Sequence, residues 1–323
     1  MRAWLLRRIA AGIAIVFATV SLSFVAIHLA PGRPFLPADE RPMNPAVLAR
    51  LQRMYGLDQP IPVQYVRYLA ALARGEMGES FSQRRPVAQA IADAVPNTLL
   101  LATSALAIDF TLGILIGLFQ AARARRRSDV ALGNVTLFFY SLPIFWLALV
   151  LQLVFGLRLG WFPIGGVNDP ALYASLPFLG QLADRLHHLV LPALTLGIVG
   201  AGGTARFQRA SLLEALGQEY VRTARAKGLA EPAVLIRHAW RDALLPVIAL
   251  SGVALPFLLT GAVLIESVFA WPGLGKLAAD AISARDYPLV LGTTLLATSA
   301  VVLGSLVADV LTAVADPRVR LTA

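Results

Sequence analysis

Few side chains in this sequence could support chemistry, and those few are scattered. Asp109 lies in the middle of a long apolar run, whereas Glu266 and Asp309 lie nearer the ends of such runs. An ionisable group at membrane depth marks a transport path or bonds to a neighbouring helix, and the sequence leaves both roles open for Asp109. Because no Ser/His/Asp or paired-carboxylate arrangement is supported, we predict no catalytic residue.

The expected ligands for metals and cofactors are also missing. The chain has no cysteine, which excludes disulfides and thiolate metal sites. His187 and His188 are adjacent and would point to opposite sides of a helix, and His28 lies at another apolar boundary. We interpret all three as interfacial polar residues and predict neither a metal nor a cofactor.

The sequence contains one weak match to a nucleotide-binding motif. A P-loop is a Gly-rich turn ending in Gly-Lys-Ser/Thr, whose amides and lysine hold phosphates. Residues 273–277 (GLGKL) lack the hydroxyl residue, and the topology derived below places them outside the cell. We therefore predict that this chain does not bind ATP.

The composition is that of a membrane protein. Hydrophobic residues make up 57% of the 323 residues, charged residues only 15%, and the mean hydropathy is +0.69. A soluble domain usually carries about 25% charged residues. The bilayer is therefore the expected solvent for most of the chain.

Six apolar stretches are long enough to cross a bilayer as helices, which needs about 20 residues each. These stretches predict an all-α polytopic fold with about six transmembrane helices, at residues 9–30, 98–122, 130–157, 189–205, 243–268 and 289–314. The fourth is short and Gly-rich. The first follows three arginines, as a signal peptide does, but its apolar run exceeds the 7–15 or so residues of a cleaved signal. We expect an uncleaved first helix.

The basic residues predict the orientation. The N-terminal arginines, the 123–127 link, the 206–242 segment and the C-terminal arginines hold 16 of the 28 Lys and Arg residues, and six spans place them all on one side. By the positive-inside rule that side is the cytoplasm, so both termini are predicted to be cytoplasmic. The net charge of +9 then reflects topology and attraction to anionic lipid, and nucleic-acid binding is not expected.

Three regions follow from this topology. Residues 1–30 hold the N-terminus and first span, residues 31–97 form an external segment, and residues 98–323 form the transmembrane core with a cytoplasmic loop at 206–242. The external segment has helix-like apolar spacing interrupted by Gly56, Pro60 and Pro62, which predicts a small helical cap.

The 206–242 loop contains a predicted helical elbow. Leu212, Leu216, Tyr220 and Ala224 recur every four residues and predict one helix face. Gly228 is a natural helix terminator, and residue 232 is a proline suited to the first turn of the next helix. A buried structural helix and a docking element for a cytoplasmic partner both fit this pattern.

The elbow carries a family resemblance. Residues 219–229 (EYVRTARAKGL), followed by 237–239 (RHA) and 245–246 (LP), resemble the coupling loop of ABC-importer permeases of the dipeptide/oligopeptide/nickel family. In the general form of that loop Glu-Ala-Ala precedes the glycine, whereas this chain has Arg-Thr-Ala at 222–224. That departure, and the long gap from the glycine to Pro246, are usual in the peptide subfamily.

Three other stretches agree with the resemblance. They are 29–32 (LAPG), where Arg33 follows in place of the common aspartate, the run 261–275 (GAVLIESVFAWPGLG) continuing to 285–288 (RDYP), and 316–318 (DPR). The long first external segment and the tail resemble the first, or B-type, permease subunit.

The resemblance implies a type I ABC importer permease fold in a bacterial inner membrane, without an ATP site of its own. It implies as partners a second, C-type permease, two ATP-binding subunits and an extracytoplasmic substrate-binding protein. Residues 266–287 and 31–97 would lie near the docked binding protein. The residues expected to contact the ATPase are Tyr220, Arg222, Thr223, Ala224, Arg225, Ala226, Lys227 and Gly228.

Alternatives remain at the level of substrate and class. Peptides are the expected substrate, but relatives with the same motifs carry nickel chelates, glutathione, opines or sugars. An ion-coupled secondary transporter would be expected to show inverted repeats and several intramembrane charges, whereas this sequence has one clear mid-membrane carboxylate. A membrane scaffold would leave the elbow and the external motif run unexplained.

Overall fold

The computed structural model describes residues 2–30, 45–244, 246–248 and 263–315, and these are built from helices. Within these ranges the β-structure is an isolated bridge between Glu79 and Pro86. The predicted all-α class is confirmed. The helices of the first half are α1 (Arg2–Leu29), α2 (Pro45–Met54), α3 (Ile61–Ala73), α4 (Val87–Ala122), α5 (Arg127–Ser141) and α6 (Ile144–Leu151).

Two helical stretches of the chain include wider, π-helical turns. Helix α6 continues through such turns at Gln152–Arg158, and another set at Val234–Ala239 joins two short helices. The helices of the second half are α7 (Phe178–Leu216), α8 (Glu219–Ala226), α9 (Glu231–Ala233), α10 (Trp240–Ala243), α11 (Val263–Val268), α12 (Leu274–Ser283) and α13 (Tyr287–Ala315).

In the described part of the chain, four helices are long and apolar enough to span a membrane, and a bent pair supplies a fifth candidate. The four spans cover Leu6–Leu29, Val87–Ala122, Phe178–Leu216 and Tyr287–Val307. They correspond to the first, second, fourth and sixth predicted spans. Most of the predicted fifth span, 243–268, lies outside the described residues.

The third predicted span, 130–157, is not one straight helix. Helices α5 and α6 meet at an angle of 97°. Pro143 has no amide hydrogen to continue the helix, and its ring disfavours a helical conformation at the preceding residue. Leu142 accordingly has φ −70° and ψ 139°, an extended conformation.

The fourth predicted span lies within α7, the longest of the described helices. Helix α7 contains 39 residues and extends well beyond the predicted 189–205 at both ends. Polar residues in its first and last turns hid these extensions, since the hydropathy pattern reports the membrane core and not the whole helix. The extra turns carry the helix out of the apolar zone toward the elbow.

Helices α4 and α7 form the most extensive helix–helix contact in the described part of the chain. A Cβ placed on Gly113 would lie 2.5 Å from Cβ of Thr204, and one placed on Gly117 would lie 2.7 Å from the carbonyl oxygen of Ala205. Only residues without a side chain allow this backbone approach, as in small-xxx-small interfaces. Gly113 and Gly117 therefore form the close packing surface of α4 against α7.

Separate apolar clusters pack the two ends of the α4–α7 pair. At one end, Val87 and Ile91 of α4 pack with Leu277 of α12 and Leu289 of α13. At the other end, Ala121 of α4 and Leu212 of α7 are buried in the cluster that holds the elbow. The elbow is therefore in direct packing contact with the ends of α4 and α7, the two longest described spans.

Candidate functional site

The elbow has the predicted Gly-centred geometry. Helix α8 ends at Ala226, and Gly228 has φ +79°, a left-handed conformation that glycine adopts without steric cost. Pro232 lies in the first turn of α9, where its missing amide hydrogen costs nothing. The chain thus reverses at Gly228 and continues through α10 toward the membrane core.

The predicted single helix through Leu212, Leu216, Tyr220 and Ala224 is wrong. Helix α7 ends at Leu216, and α8 begins at Glu219 after Gln218 adopts an extended conformation with φ −74° and ψ 153°. Glycine at position 217 is a weak helix former, which makes this the easiest place for the helix to end. The four-residue period therefore describes Leu212 and Leu216 within α7, and Tyr220 and Ala224 within α8, but not one continuous helix.

One face of α8 is buried inside the chain. Val221 is fully buried and Ala224 is 5% exposed, and both pack in the elbow cluster, whose buried members are Ala121, Leu212, Ala215, Val221, Ala224, Val234, Ala239 and Ala243. The expectation that Ala224 contacts a partner is therefore corrected, because its methyl group packs against the chain's own core. The elbow thus has its own apolar core.

The opposite face of α8 is open. The exposed residues of α8 and of the turn that follows it are Glu219 and the remaining members of the predicted contact set, namely Tyr220, Arg222, Thr223, Arg225, Ala226, Lys227 and Gly228. Leu229 and Ile236 add exposed apolar side chains nearby, at 42% and 51%. The surface is basic with apolar neighbours, a composition suited to a protein partner.

Two exposed ion pairs shape this surface. Arg222 reaches Glu219 at 2.6 Å, and Arg225 donates to both carboxylate oxygens of Glu231 at 2.8 and 3.3 Å. The second pair bridges α8 and α9 across Gly228. Exposed pairs contribute little to stability, so the guanidinium groups can exchange these partners for another protein's acidic groups.

Tyr220 ties the elbow to α10. Partial burial, together with a hydrogen bond and proximity to the Asp242 carboxylate, raises the pKa of the Tyr220 phenol to about 12. The phenol therefore stays protonated at physiological pH and donates to Asp242. This bond fixes one end of the exposed face.

Asp109 lies in the α4–α7 interface. Its Oδ1 accepts a hydrogen bond of 2.7 Å from the Thr204 hydroxyl, and its carboxyl packs beside Gly200, where any Cβ would clash with it. The side chain is partly buried. The sequence left two roles open for Asp109. The geometry supports the bond to a neighbouring helix, because Thr204 of α7 supplies its partner.

An ion pair beneath the elbow was missed by sequence reasoning. Asp129 is 3% exposed and accepts from Arg209 Nε at 2.9 Å, from Arg209 Nη2 at 2.8 Å and from the Arg125 amide at 2.9 Å. Both arginines counted only toward topology in the sequence. The signal available was a lone acid in a run of four arginines, which is unusual unless that acid has a structural partner.

The weak P-loop match is occupied by the chain's own side chains. The amide of Lys276 donates to Oε2 of buried Glu266 at 2.8 Å, and the amide of Leu274 donates to the Thr98 hydroxyl at 2.7 Å. A carboxylate thus lies where a phosphate would need to bind. The Lys276 ammonium pairs with Asp280 at 2.6 Å.

Residues 266–288 of the motif run also make hydrogen bonds within the chain. Trp271 is fully buried and its indole NH donates to the carbonyl of Asn97 at 2.9 Å. Buried Asp286 accepts from the hydroxyls of Ser80 and Ser82 at 2.5 and 2.8 Å. These bonds tie the 78–86 turn to the corner between α12 and α13.

The histidines have separate local partners. His187 pairs with the carbonyl of Trp161 at 2.7 Å, and His188 pairs with the carbonyl of Asp184 at 2.9 Å. His28 contacts the Phe24 carbonyl at 2.8 Å and the Gln64 amide oxygen at 3.2 Å. The adjacent pair therefore points in different directions, toward different segments.

The long apolar helices and an elbow with an open basic face define a multi-pass membrane subunit of a transporter. The chain belongs to the family of inner-membrane components of binding-protein-dependent transport systems, whose model matches residues 113–321. The model for the N-terminal part of such components matches residues 1–102. The two matches together cover nearly the whole chain.

Full-length relatives agree with this assignment. The chain is 37% identical over 321 residues to the oligopeptide transport system permease protein AppB of Bacillus subtilis, covering 99% of this chain and 100% of the relative. It is 39% identical over 334 residues to the di/tripeptide transport system permease protein DppB of Pseudomonas aeruginosa, covering 99% of each. The resemblance seen in the sequence to a peptide-type permease is confirmed.

Proposed function

We propose that this chain is a B-type permease subunit of an ATP-driven importer that moves di- or oligopeptides into the cytoplasm. The observation that carries the proposal is the open basic face of α8 in a chain that matches peptide permeases over its full length. A membrane helix bundle that needed no partner would not leave such a surface beside a well-packed elbow core.

The proposed partners follow from this role. A second, C-type permease completes the pathway, two ATP-binding subunits dock on the elbows, and a substrate-binding protein delivers peptide at the external face. The exposed apolar side chains of α1, such as Leu22 at 70% and Ile13 at 66%, are available to lipid or to the second permease. Both termini and the 206–242 loop are proposed to be cytoplasmic, as the positive-inside rule predicts.

Energy is proposed to come from the ATP-binding subunits alone. Glu266 and Thr98 engage the amides of the only sequence that approaches a P-loop, and this supports the absence of an ATP site in the chain. Closure of the ATPases would displace the elbows. The elbow cluster would pass that displacement to the ends of α4 and α7, which alternates access between the two sides of the membrane.

The regions 31–97 and 266–287 are proposed to form the external surface that meets the binding protein. Helices α2 and α3 supply the predicted cap, and Asp286 fastens the adjoining 78–86 turn to the core. A role for Asp109 on the translocation path is a second proposal, supported by its partial exposure. Its hydrogen bond to Thr204 supports the helix-bonding role.

Cysteine crosslinking tests the docking proposal directly, because the chain has no native cysteine. We expect Ala226→Cys, on the exposed face of α8, to crosslink to cysteines placed on the co-expressed ATPase. Ala171→Cys, exposed on the predicted external side, is the matched control and should stay silent. Crosslinking at Ala171, or silence at Ala226 and its exposed neighbours, would refute docking at this elbow.

A further inference from the structure

Two glutamine side chains are buried where α4 and α7 approach the elbow. Gln120 of α4 is 2% exposed and Gln208 of α7 is fully buried. Oε1 of Gln120 and both amide atoms of Gln208 have no hydrogen-bond partner in the described part of the chain. Buried polar groups are almost always paired, because leaving them unpaired costs their full desolvation. These unpaired amides therefore require a physical explanation.

The unpaired atoms are complementary. Nε2 of Gln120 donates to the carbonyl of Asp129 at 3.2 Å, which orients that amide and leaves its oxygen as a free acceptor. Nε2 of Gln208 is a free donor. A donor and an acceptor that could satisfy each other therefore lie on neighbouring helices without being bonded.

The two side chains also start from adjacent turns of the facing helices. A Cβ placed on Gly117 would come within 2.7 Å of Cβ and 2.9 Å of Cγ of Gln208, so the Gln208 stem lies directly over Gly117. Gln120 is three residues further along α4, on the neighbouring turn of the same face. Helix shifts of about 1–2 Å are typical of switching transitions, and a distance change of that size separates a hydrogen-bonded pair from an unbonded one.

The two glutamines lie next to residues that connect α4 and α7 to the elbow and to α5. Arg209, next to Gln208, makes the ion pair with Asp129 that holds the α4–α5 turn against α7. Ala121, next to Gln120, is buried in the elbow cluster with Val221 of α8. Displacement of the elbow therefore acts on the helix ends that carry both glutamines.

We infer that Gln120 and Gln208 form an inter-helix hydrogen bond in one transport conformation and lack it in the other, which is the conformation described here. Gln208 is then a positioning residue that stabilises the second conformation relative to the first. This inference rests on the proposed function, because it assumes that an elbow driven by the ATPases shifts α4 against α7.

Replacing Gln208 with an apolar side chain of similar size tests the inference. In the complete transporter, Gln208→Leu should raise the thermal unfolding midpoint of the nucleotide-free complex, because the unpaired amide is gone. It should lower ATP-driven uptake about tenfold, because the second conformation loses a bond. A fall in the midpoint or unchanged uptake would overturn the inference and indicate that a buried water satisfies the amide in both conformations.

The matched control is Thr195→Val on the same helix. Thr195 is also fully buried, but its hydroxyl already donates to the carbonyl of Leu191 at 2.8 Å. We expect no gain in the unfolding midpoint and unchanged uptake from this variant. A gain equal to that of Gln208→Leu would show that any loss of a buried polar group stabilises the protein, which contradicts the inference.

A double-cysteine variant reports whether the two positions lie close together in each conformation. Gln120→Cys combined with Gln208→Cys should crosslink with yields that differ several-fold between nucleotide-free and vanadate-trapped transporter. Equal yields in both states, or none in either, overturn the inference. If the Ala226→Cys crosslink and ATP-driven uptake are present while the glutamine variants behave as wild type, only this inference fails. If the Ala226→Cys crosslink and ATP-driven uptake are both absent from chains in which Gln120 and Gln208 are intact, the proposed function fails.

Discussion

At the scale of single residues, polar groups in this chain act mainly between helices. Asp109 and Thr204 are 95 positions apart and share a hydrogen bond, and Thr98 bonds to Glu266 across 168 positions. In a membrane a polar side chain finds no water, so a partner on a neighbouring helix is its best alternative. Such bonds define how helices face each other while adding modest stability.

The role of Asp109 can be separated into charge and hydrogen bonding. Asparagine keeps an oxygen that accepts from Thr204, whereas leucine of similar size does not. We expect Asp109→Asn to retain assembly and peptide uptake, and Asp109→Leu to lower the yield of assembled complex, as measured by detergent-stable complex and vesicle uptake. Assembly of Asp109→Asn with loss of uptake would instead place the carboxylate charge on the translocation path.

At the scale of helices, the α4–α7 pair is the centre of the described fold. Glycines on both helices let the backbones approach, and the pair carries the Asp109 bond, the buried glutamines and the Asp129–Arg209 ion pair. The elbow helices pack on the same ends of α4 and α7. This arrangement gives the exposed face of α8 a direct mechanical connection to the membrane core.

A large side chain at the α4–α7 contact should break this connection. Gly113→Leu would place its Cβ 2.5 Å from Cβ of Thr204, and the backbones would have to separate. We expect little folded protein in membranes, measured by the yield of monodisperse complex after extraction.

Ala107→Leu on the exposed face of the same helix is the control and should be tolerated. A normal yield from Gly113→Leu would mean that the two helices are not held at this distance.

At the scale of the whole molecule, the chain is one part of an assembly. Its elbow offers a basic surface, its α1 is largely exposed, and the end of the bundle away from the elbow is held together by the buried carboxylates Glu266 and Asp286. The two ends of the bundle are packed by separate clusters, so each can meet its own partner. The elbow surface and the opposite end of the described bundle are thus joined through the packed α4–α7 pair.

The assembly should therefore show activity that the chain alone lacks. Purified alone, this chain should neither bind nor hydrolyse ATP. Reconstituted in vesicles with its second permease, ATPases and binding protein, it should take up labelled dipeptides or oligopeptides when ATP is supplied to the ATPase side.

Competition assays identify the substrate in the same vesicles. Unlabelled peptides should block uptake, whereas effective competition by nickel chelates or glutathione would assign a different substrate to the same machinery. ATP turnover by the isolated chain that disappears in Lys276→Ala would refute the absence of a nucleotide site.

Local signals in the sequence determined the helices and the elbow. Apolar runs of sufficient length predict spans, because a backbone inside the membrane must satisfy its own hydrogen bonds. Gly228 and Pro232 mark the turn, because the conformational preference of each residue acts on the backbone next to it. The same local reading missed the bend at Pro143, since the apolar run continues on both sides of it. It also missed the break at Gly217, since the four-residue period continues across it.

Only the tertiary structure decided which helices face each other and what their polar groups do. The pairing of Asp129 with Arg209, of Asp109 with Thr204 and of Glu266 with the 274–276 amides joins residues far apart in the chain. No local period encodes such contacts, because they arise from the close crossing of helices at small residues. The sequence therefore identified a basic elbow, whereas the fold showed which of its faces is buried and which is free to bind.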